Sequence, residues 1–324
     1  VTADPAEQRP LGGTDLKVSA VTLGTSNWGP LRADESPAHR DQRIADLADA
    51  FFNGTLPVSA LDTSNIYGGS LAEHLIGDAL ERANGLKPGQ LLQTKLDRRL
   101  SDGDFSAEQM RRSLDESRAR LRLSHLQMLY LHDPEQIGFE RAMARGGPVD
   151  ALVAMRDVGI TAHIGISGGP VRMLERFLRT GLFDAVVTHN RFTLLDRSAD
   201  QLLDVAAERR IGVFNAAPYG GGILTGDRRF ANSYGYRPLH SETAAAFHGI
   251  QRLCDEAGVS VGAAALQFSM REPRVHSTIV GASDRARWEQ SVRYAAEPIP
   301  PGLWDDIEAL RPSSAAALDE GASR

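Results

Sequence analysis

The segment "ALDTSNIYGG" (Ala60–Gly69) runs from an apolar pair into an aspartate, then through a polar turn to a tyrosine and two glycines. A buried strand that ends on a carboxylate, with a phenol on the turn beyond it, puts two ionisable groups at one edge of a sheet. Such residues are either turn and cap residues or parts of a site, and their neighbours decide between the two.

Outward from this segment, short apolar and β-branched runs alternate with helix-period segments. The runs are "VSAVTLG" (18–24), "ALDTS" (60–64), "LLQTKL" (91–96), "LQMLYLHD" (126–133), "AHIGIS" (162–167), "DAVVTHN" (184–190), "GVFNAA" (212–217) and "HSTIVGA" (276–282). Between them, segments such as "SLAEHLIGDALERA" and "PVRMLERFLRTG" carry apolar residues three and four apart, and several close on Gly. Eight strand–helix units without a composition break predict an α/β fold with a single (β/α)8 barrel, an N-terminal β-hairpin in "PLGGTDLKVS" and extended loops on the C-terminal face. An open doubly wound sheet is the alternative; no G-x-G-x-x-G follows the first run to support it. The expected organisation is a loose start (1–8), the barrel domain (9–312) and a loose tail (313–324).

Composition narrows the function. The 324 residues carry a formal net charge of −6 and no basic stripe, which argues against a nucleic-acid partner. A single cysteine, Cys254, excludes an internal disulfide framework and a multi-cysteine metal site, and it fits a cytoplasmic location. No apolar run approaches a membrane span, and the start has no apolar signal core. The expected partner is a small-molecule substrate; oligomeric state is not legible.

In a barrel, polar residues at the carboxyl ends of strands converge on one pocket. Those ends supply Asp62 and Tyr67, then Lys95, then His132 and Asp133, then Ser167, His189 and Asn190. Taken singly, Asp62 reads as a turn residue, Lys95 as a solvated charge and His132 as a structural histidine. Ionisable groups at three consecutive strand ends suggest one site. A phenol titrates near ~10, and an ammonium beside it favours phenolate. A carboxylate holds the ammonium, and an imidazole donates to a substrate oxygen. This set suits proton transfer to or from a carbonyl or alcohol oxygen.

The other half of such a reaction can be a hydride from a nicotinamide. "APYGGGILTG" (217–226), with Tyr219, Gly220, Gly222 and Leu224, offers bare backbone amides to a pyrophosphate. "IVGASDRARWEQS" (279–291), with Gly281, Ala282 and Arg287, opens a helix on an Asp284 cap and suits an adenosine phosphate.

These residues resemble the aldo-keto reductase superfamily over nearly the whole chain. "LDTSNIYGG" resembles its D-T-A-x-x-Y-G signature, "LLQTKL" and "LQMLYLHD" its lysine and histidine strands, "HIGISGG" its G-V-S-N segment, and "APYGGGILTG" its P-L-x-x-G-x-L loop. The resemblance implies a (β/α)8 barrel, a nicotinamide cofactor and a catalytic tetrad of Asp62, Tyr67, Lys95 and His132. "LYLHDPE", "FDAVVTHNRFTLLD" and "FNAAPYGGGIL" are most similar to the branch of D-threo-aldose (L-fucose) and L-galactose dehydrogenases, which implies oxidation of an aldose at C1 to a lactone. The chain departs from the pattern at Gly168, which replaces the G-V-S-N asparagine. His189 stands for a glutamine, Ala216 for a stacking tyrosine and Gly281 for a phosphate-binding lysine. NAD and NADP both remain open, with a lean to NAD from the missing lysine. Trp28, Phe230, Tyr234 and Tyr236, with Asp133, are candidates for the substrate wall. Other readings are a general aldehyde or ketone reductase using NADPH, a Schiff-base aldolase through Lys95, a metal hydrolase on His132 and Asp133, and a non-catalytic nicotinamide-binding regulatory protein.

Overall fold

A hairpin of β1 (Gln8–Pro10) and β2 (Lys17–Ser19) leads into the first barrel strand in a computed structural model that describes residues 4–319. The strands that follow are β3 (Val21–Gly24), β4 (Ala60–Asp62), β5 (Leu91–Leu96), β6 (Leu126–His132), β7 (Thr161–Gly168), β8 (Ala185–His189), β9 (Gly212–Ala216), a small pair β10 (Ser233–Tyr234) and β11 (Arg237–Pro238), and β12 (Ser277–Gly281). All of them except the two hairpins form one closed parallel barrel, ordered β12-β3-β4-β5-β6-β7-β8-β9. Each of the eight apolar runs supplies one barrel strand.

The helices α1 (Pro37–Phe52), α2 (Leu71–Arg82), α3 (Ala107–Leu121), α4 (Phe139–Ala142), α5 (Pro148–Asp157), α6 (Val171–Arg179), α7 (Asp200–Arg209), α8 (Ser241–Glu256), α9 (Val261–Met270), α10 (Arg285–Ala296) and α11 (Pro301–Glu308) surround the barrel or extend it. Three cores result. The largest lies between strands and helices, a second joins α8, α9 and α11 to the loop after β9, and a third fills the barrel with Leu91, Met128, Tyr130, Val187, Phe214 and Ile279, among others. Leu11, on the hairpin turn, joins the barrel core and packs against Gly212, where a Cβ would come within 2.5 Å of the leucine side chain. The hairpin thereby closes the N-terminal mouth and leaves the C-terminal mouth for the site.

Strand register aligns the future site. Asp62 lies opposite Gln93, Lys95 opposite Tyr130 and His132 opposite Ser167. The helix after β4 explains the residues that follow the opening segment. In α2, Ala72, Ile76, Ala79 and Leu80 form the buried stripe. Glu73, fully buried, accepts from the Thr94 hydroxyl at 2.7 Å and from Arg120 at 3.1 Å, tying α2 to β5 and α3. Gly77 lets the backbones of α2 and α3 touch: a Cβ there would lie 1.8 Å from the Arg120 carbonyl oxygen.

The termini are tied down further than composition suggests. Pro5 and Glu7 accept backbone hydrogen bonds from Val21 and Ala20. At the other end, Asp319 accepts from the Val171 amide at 2.7 Å and from Arg191 at 2.9 Å, and Leu318 donates its amide to Asp196. A small, polar tail reads as loose, yet these bonds join residues more than a hundred positions apart. Positions 1–3 and 320–324 of the expected loose ends lie outside the described residues. Among the described residues no helix is long and apolar enough to cross a membrane.

Replacing Gly77 by Ala should force α2 from α3 and lower stability by ~1–3 kcal/mol. Urea unfolding checks this; an unchanged midpoint would show that the two helices have slack.

Candidate active site

Period-two alternation in β5 turns Gln93 and Lys95, and Asp97 just beyond the strand, towards the site, while Thr94 faces Glu73 on α2. Lys95 is 1% exposed and donates from Nζ to three oxygens: Asp62 Oδ2 at 2.7 Å, the Thr63 carbonyl at 2.7 Å and the Tyr67 hydroxyl at 3.2 Å. The other oxygen of Asp62 accepts from Gln93 at 2.8 Å, and the Gln93 carbonyl accepts from the Tyr130 hydroxyl at 3.0 Å. A buried charge pair is thus anchored from the barrel interior, with its remaining hydrogen-bonding capacity used.

Tyr67 reaches Lys95 from the turn after β4. That turn packs directly on the loop after β3. Gly68 has φ of 63°, and a Cβ on it would sit 2.9 Å from the Cα of Gly29. A side chain at this position would push the phenol away from the lysine.

His132 closes the set. Its ring meets Tyr67 edge-on, with centroids 5.6 Å apart. Nδ1 lies 2.7 Å from Asp97 Oδ1, and the Ser64 hydroxyl donates to the other oxygen of that carboxylate. Asp97 therefore holds the proton on Nδ1 and orients the ring; Nε2 is the nitrogen left for a substrate, with Asp133 Oδ1 3.7 Å away. Burial works against the imidazolium, but Asp97 and Asp133 outweigh it and raise His132 above its ordinary pKa of 6.5. Asp97 is absent from the expected site. Its signal is its spacing, two residues past Lys95 on the same side of the chain.

The phenol corrects one expectation. Burial, with Asp62, Asp97 and Asp133, pushes Tyr67 well above the ordinary value of 10, not below it. The physical reason is first that a buried hydroxyl resists taking a charge, and second that the carboxylates of Asp62, Asp97 and Asp133 repel a phenolate. The resting group is a phenol.

On the cofactor side, Ser167 is almost buried at the end of β7, and its carbonyl accepts the Asp133 amide at 2.8 Å. His189 takes a hydrogen bond on Nδ1 from Asn190 at 3.1 Å, and burial with Arg191 lowers its pKa to about 4. It is a neutral imidazole. Gly220, Gly221 and Gly222 all have positive φ, which lets the loop after β9 turn tightly, with the Gly220 and Gly222 amides donating to the Ala217 and Tyr219 carbonyls. Across from it, Asp284 caps α10 by accepting from the Arg287 amide at 2.8 Å. Arg287 also helps to lower Asp227, at the far end of the glycine loop, after the larger effect of Arg229. Tyr219 of the glycine loop meets Tyr294 of α10 edge-on, so the loop lies against the helix that Asp284 caps, and the start of that helix suits a phosphate. Gly281 is exposed at the end of β12.

Several expected contacts do not face this site. Leu224 and Ala282 are fully buried. Tyr219 is packed between the loop and α10, edge-on to Tyr294. Trp28 is fully buried and donates its indole N–H to the Ala282 carbonyl at 2.8 Å, so it is not a substrate wall. Tyr234 is buried, its hydroxyl bonded to Thr193 and the Asn190 carbonyl, each at 2.7 Å. Its ring and that of Phe230 pack on Gly220 and Gly222, whose missing side chains make room for them. Aromatics in a glycine-rich loop bury themselves on the glycines. Tyr236 alone among the expected wall aromatics is strongly exposed, at 76%, and its phenol adds slightly to the rise at Tyr67.

Glu135 is a second residue missing from the expected site. Its polar atoms and those of Asp133 and His189 lie within 4.8 Å of one another. It also lines a cleft of about 800 Å³ between α6, α7 and residues 311–319.

Comparison with known proteins agrees with this architecture. Residues 20–312 match the aldo/keto reductase family. L-galactose dehydrogenase of Arabidopsis thaliana is 31% identical, over 90% of this chain and 88% of its own. D-threo-aldose 1-dehydrogenase of a Pseudomonas species is 31% identical, over 91% of this chain and 95% of its own. Pyridoxal 4-dehydrogenase of Microbacterium luteolum is 28% identical, over 93% and 96%. The fold is also that of an aldo-keto reductase from Bacillus halodurans solved in its holo form, with a TM-score of 0.72 at 20% identity and coverage of 97% and 99%. The chain belongs to the aldo/keto reductase family and is an NAD(P)-dependent oxidoreductase.

Lys95→Met leaves Asp62 buried without its cation and should cost about 3–5 kcal/mol. Adding Asp62→Asn should recover much of this. Denaturant unfolding of the single and double variants is the measurement, and equal stability of Lys95→Met and the parent would contradict the coupling.

Proposed function

We propose that this oxidoreductase oxidises an aldose at C1 to a lactone, with the reverse path reducing a carbonyl. The observation that carries the chemistry is the buried Lys95, held by Asp62 and donating to the Tyr67 hydroxyl at 3.2 Å, with His132 edge-on to the phenol. The nicotinamide, when bound, takes or supplies the hydride. Tyr67 moves the proton at the reacting oxygen, and His132 donates to that oxygen from Nε2. That donation needs both ring nitrogens protonated, the form that Asp97 and Asp133 favour, while Asp97 accepts from Nδ1. Lys95 stabilises whatever negative charge develops on the phenol.

Support for an aldose comes from the activities of the L-galactose and D-threo-aldose relatives and from Asp133, whose carboxylate lies 3.7 Å from His132 Nε2. A general aldehyde or ketone reductase is the second reading. The protonated resting phenol favours it, since that form is ready to give a proton to a carbonyl. A Schiff-base aldolase is disfavoured because the Lys95 nitrogen already donates to three oxygens and keeps no lone pair for a carbonyl carbon.

We infer a preference for NAD. Gly281 supplies no cation, Arg32 is paired with Asp284, and Arg43 is paired with Glu35. Arg287 remains the one candidate from the expected set for a 2′-phosphate.

Tyr67→Phe should lower kcat by roughly 10²–10⁴-fold while NADH still binds as to the parent, read by fluorescence titration; in the parent NADH should bind more tightly than NADPH. Unimpaired turnover would remove Tyr67 from the mechanism. Because the folded-state phenol titrates above its ordinary value, the proton-accepting form becomes more abundant as pH rises. Aldose oxidation should therefore accelerate from about pH 7 to about pH 10 without levelling off. A plateau below pH 8 in the pH–rate profile would point to another base.

A further inference from the structure

We infer that Asp133 and Glu135 form the wall that receives hydroxyl groups of the substrate beside the reacting carbon, and that this pair sets a preference for polyhydroxylated substrates over simple aldehydes. The inference rests on the aldose reading above.

Three observations place the pair. Asp133 follows His132 directly, and its Oδ1 lies 3.7 Å from His132 Nε2, the nitrogen left for the reacting oxygen. Its backbone is left-handed, with φ of 47° in a residue that is not glycine, and its amide is held by the Ser167 carbonyl at 2.8 Å. A left-handed residue other than glycine persists where the surroundings impose it, often at a binding site. Here it turns the chain at the end of β6 so that Asp133 and Glu135 both face His189.

Glu135 is half satisfied. Its Oε1 accepts the Gly169 amide at 3.0 Å, whereas Oε2 is shielded from solvent and has no partner. A buried acceptor without a donor is costly; a turn of the carboxyl group toward His189, whose ring lies within 4.8 Å of it, presents Oε2 to a ligand hydroxyl and removes that cost. Neither Asp133 nor Glu135 has an ion pair with a lysine or arginine among the described residues, so no cation competes for the two carboxyl groups. Asn190, fully buried beside His189, likewise holds an unpartnered Oδ1.

The sequence makes room for this arrangement at Gly168. A Cβ there would lie 2.7 Å from Glu135 Oε2, so any side chain at 168 displaces the carboxyl group. Burial, and Asp133 beside it, raise the Glu135 carboxyl above the usual range, which lets it hold a proton more readily than an isolated glutamate. A Glu135 carboxyl group that holds a proton donates to one hydroxyl, and the neighbouring Asp133 oxygen accepts from the next. A vicinal diol presents both needs at one spacing; a simple aldehyde presents neither.

The test compares the parent with Glu135→Ala and Asp133→Asn, the latter chosen because asparagine tolerates the left-handed backbone. Three quantities are measured: kcat/KM for L-galactose oxidation, kcat/KM for benzaldehyde reduction, and NADH affinity by fluorescence. The ratio of the first to the second should fall about tenfold or more in each variant, chiefly through KM for the sugar, with NADH affinity kept. An unchanged ratio with the sugar still oxidised overturns this inference and leaves the aldose reading intact. Weakened NADH binding overturns it differently, by assigning Glu135 to the cofactor. Loss of parent activity on chelation, restored by a divalent cation, would assign the cluster to a metal. A parent enzyme that reduces benzaldehyde and oxidises no aldose defeats the aldose reading and this inference together.

Discussion

Lys95 and Asp62 form a charge pair inside a protein barrel, with side chains 1% and 4% exposed. Two such charges are tolerable only together and only when their other hydrogen-bonding positions are filled. The structure fills them from three directions. Gln93 and Tyr130 reach from the barrel interior, the Thr63 carbonyl from the strand end, and Tyr67 from the turn. Each partner that stabilises the pair also fixes an atom of the site. Stability and chemistry are therefore coupled here, and the phenol cannot shift without disturbing the ion pair.

The same constraint reaches into the helix layer. Tyr67 can meet Lys95 only if its turn packs on Gly29, and only if α2, which starts just after the turn, is docked. Glu73 and Gly77 dock it against β5 and α3. The residues following the tyrosine thus serve to place it. A parallel arrangement holds His132: Asp97 and Ser64, from the ends of two neighbouring strands, fix the orientation of its ring. The two halves of the site meet at the edge-on contact of Tyr67 and His132.

Much of this was legible in the chain. Eight apolar runs predicted eight barrel strands because a parallel strand buried on both faces needs continuous apolar residues, a pattern that survives without knowledge of the fold. Asp62, Tyr67, Lys95 and His132 stood out because ionisable groups are rare at the ends of such runs. Asp97 and Glu135 did not stand out. An aspartate just past a strand and a glutamate in a polar loop look like ordinary surface residues. Trp28, Tyr234 and Phe230 misled in the opposite sense, since an aromatic in a loop looks available until the glycine beneath it is seen.

Local chemistry along the chain determined the barrel, its helix starts and the membership of the charged cluster. These follow from residue type and spacing, which act over a few positions. The protonation of the cluster was decided by tertiary structure alone. A lysine near a tyrosine suggests phenolate, but burial of the hydroxyl, with carboxylates around it, raises its pKa instead. Asp62, Asp97 and Asp133 come from three strand ends, and only closure of the barrel brings their charges to bear on one hydroxyl. Coulomb interactions fall with distance in space, not along the chain.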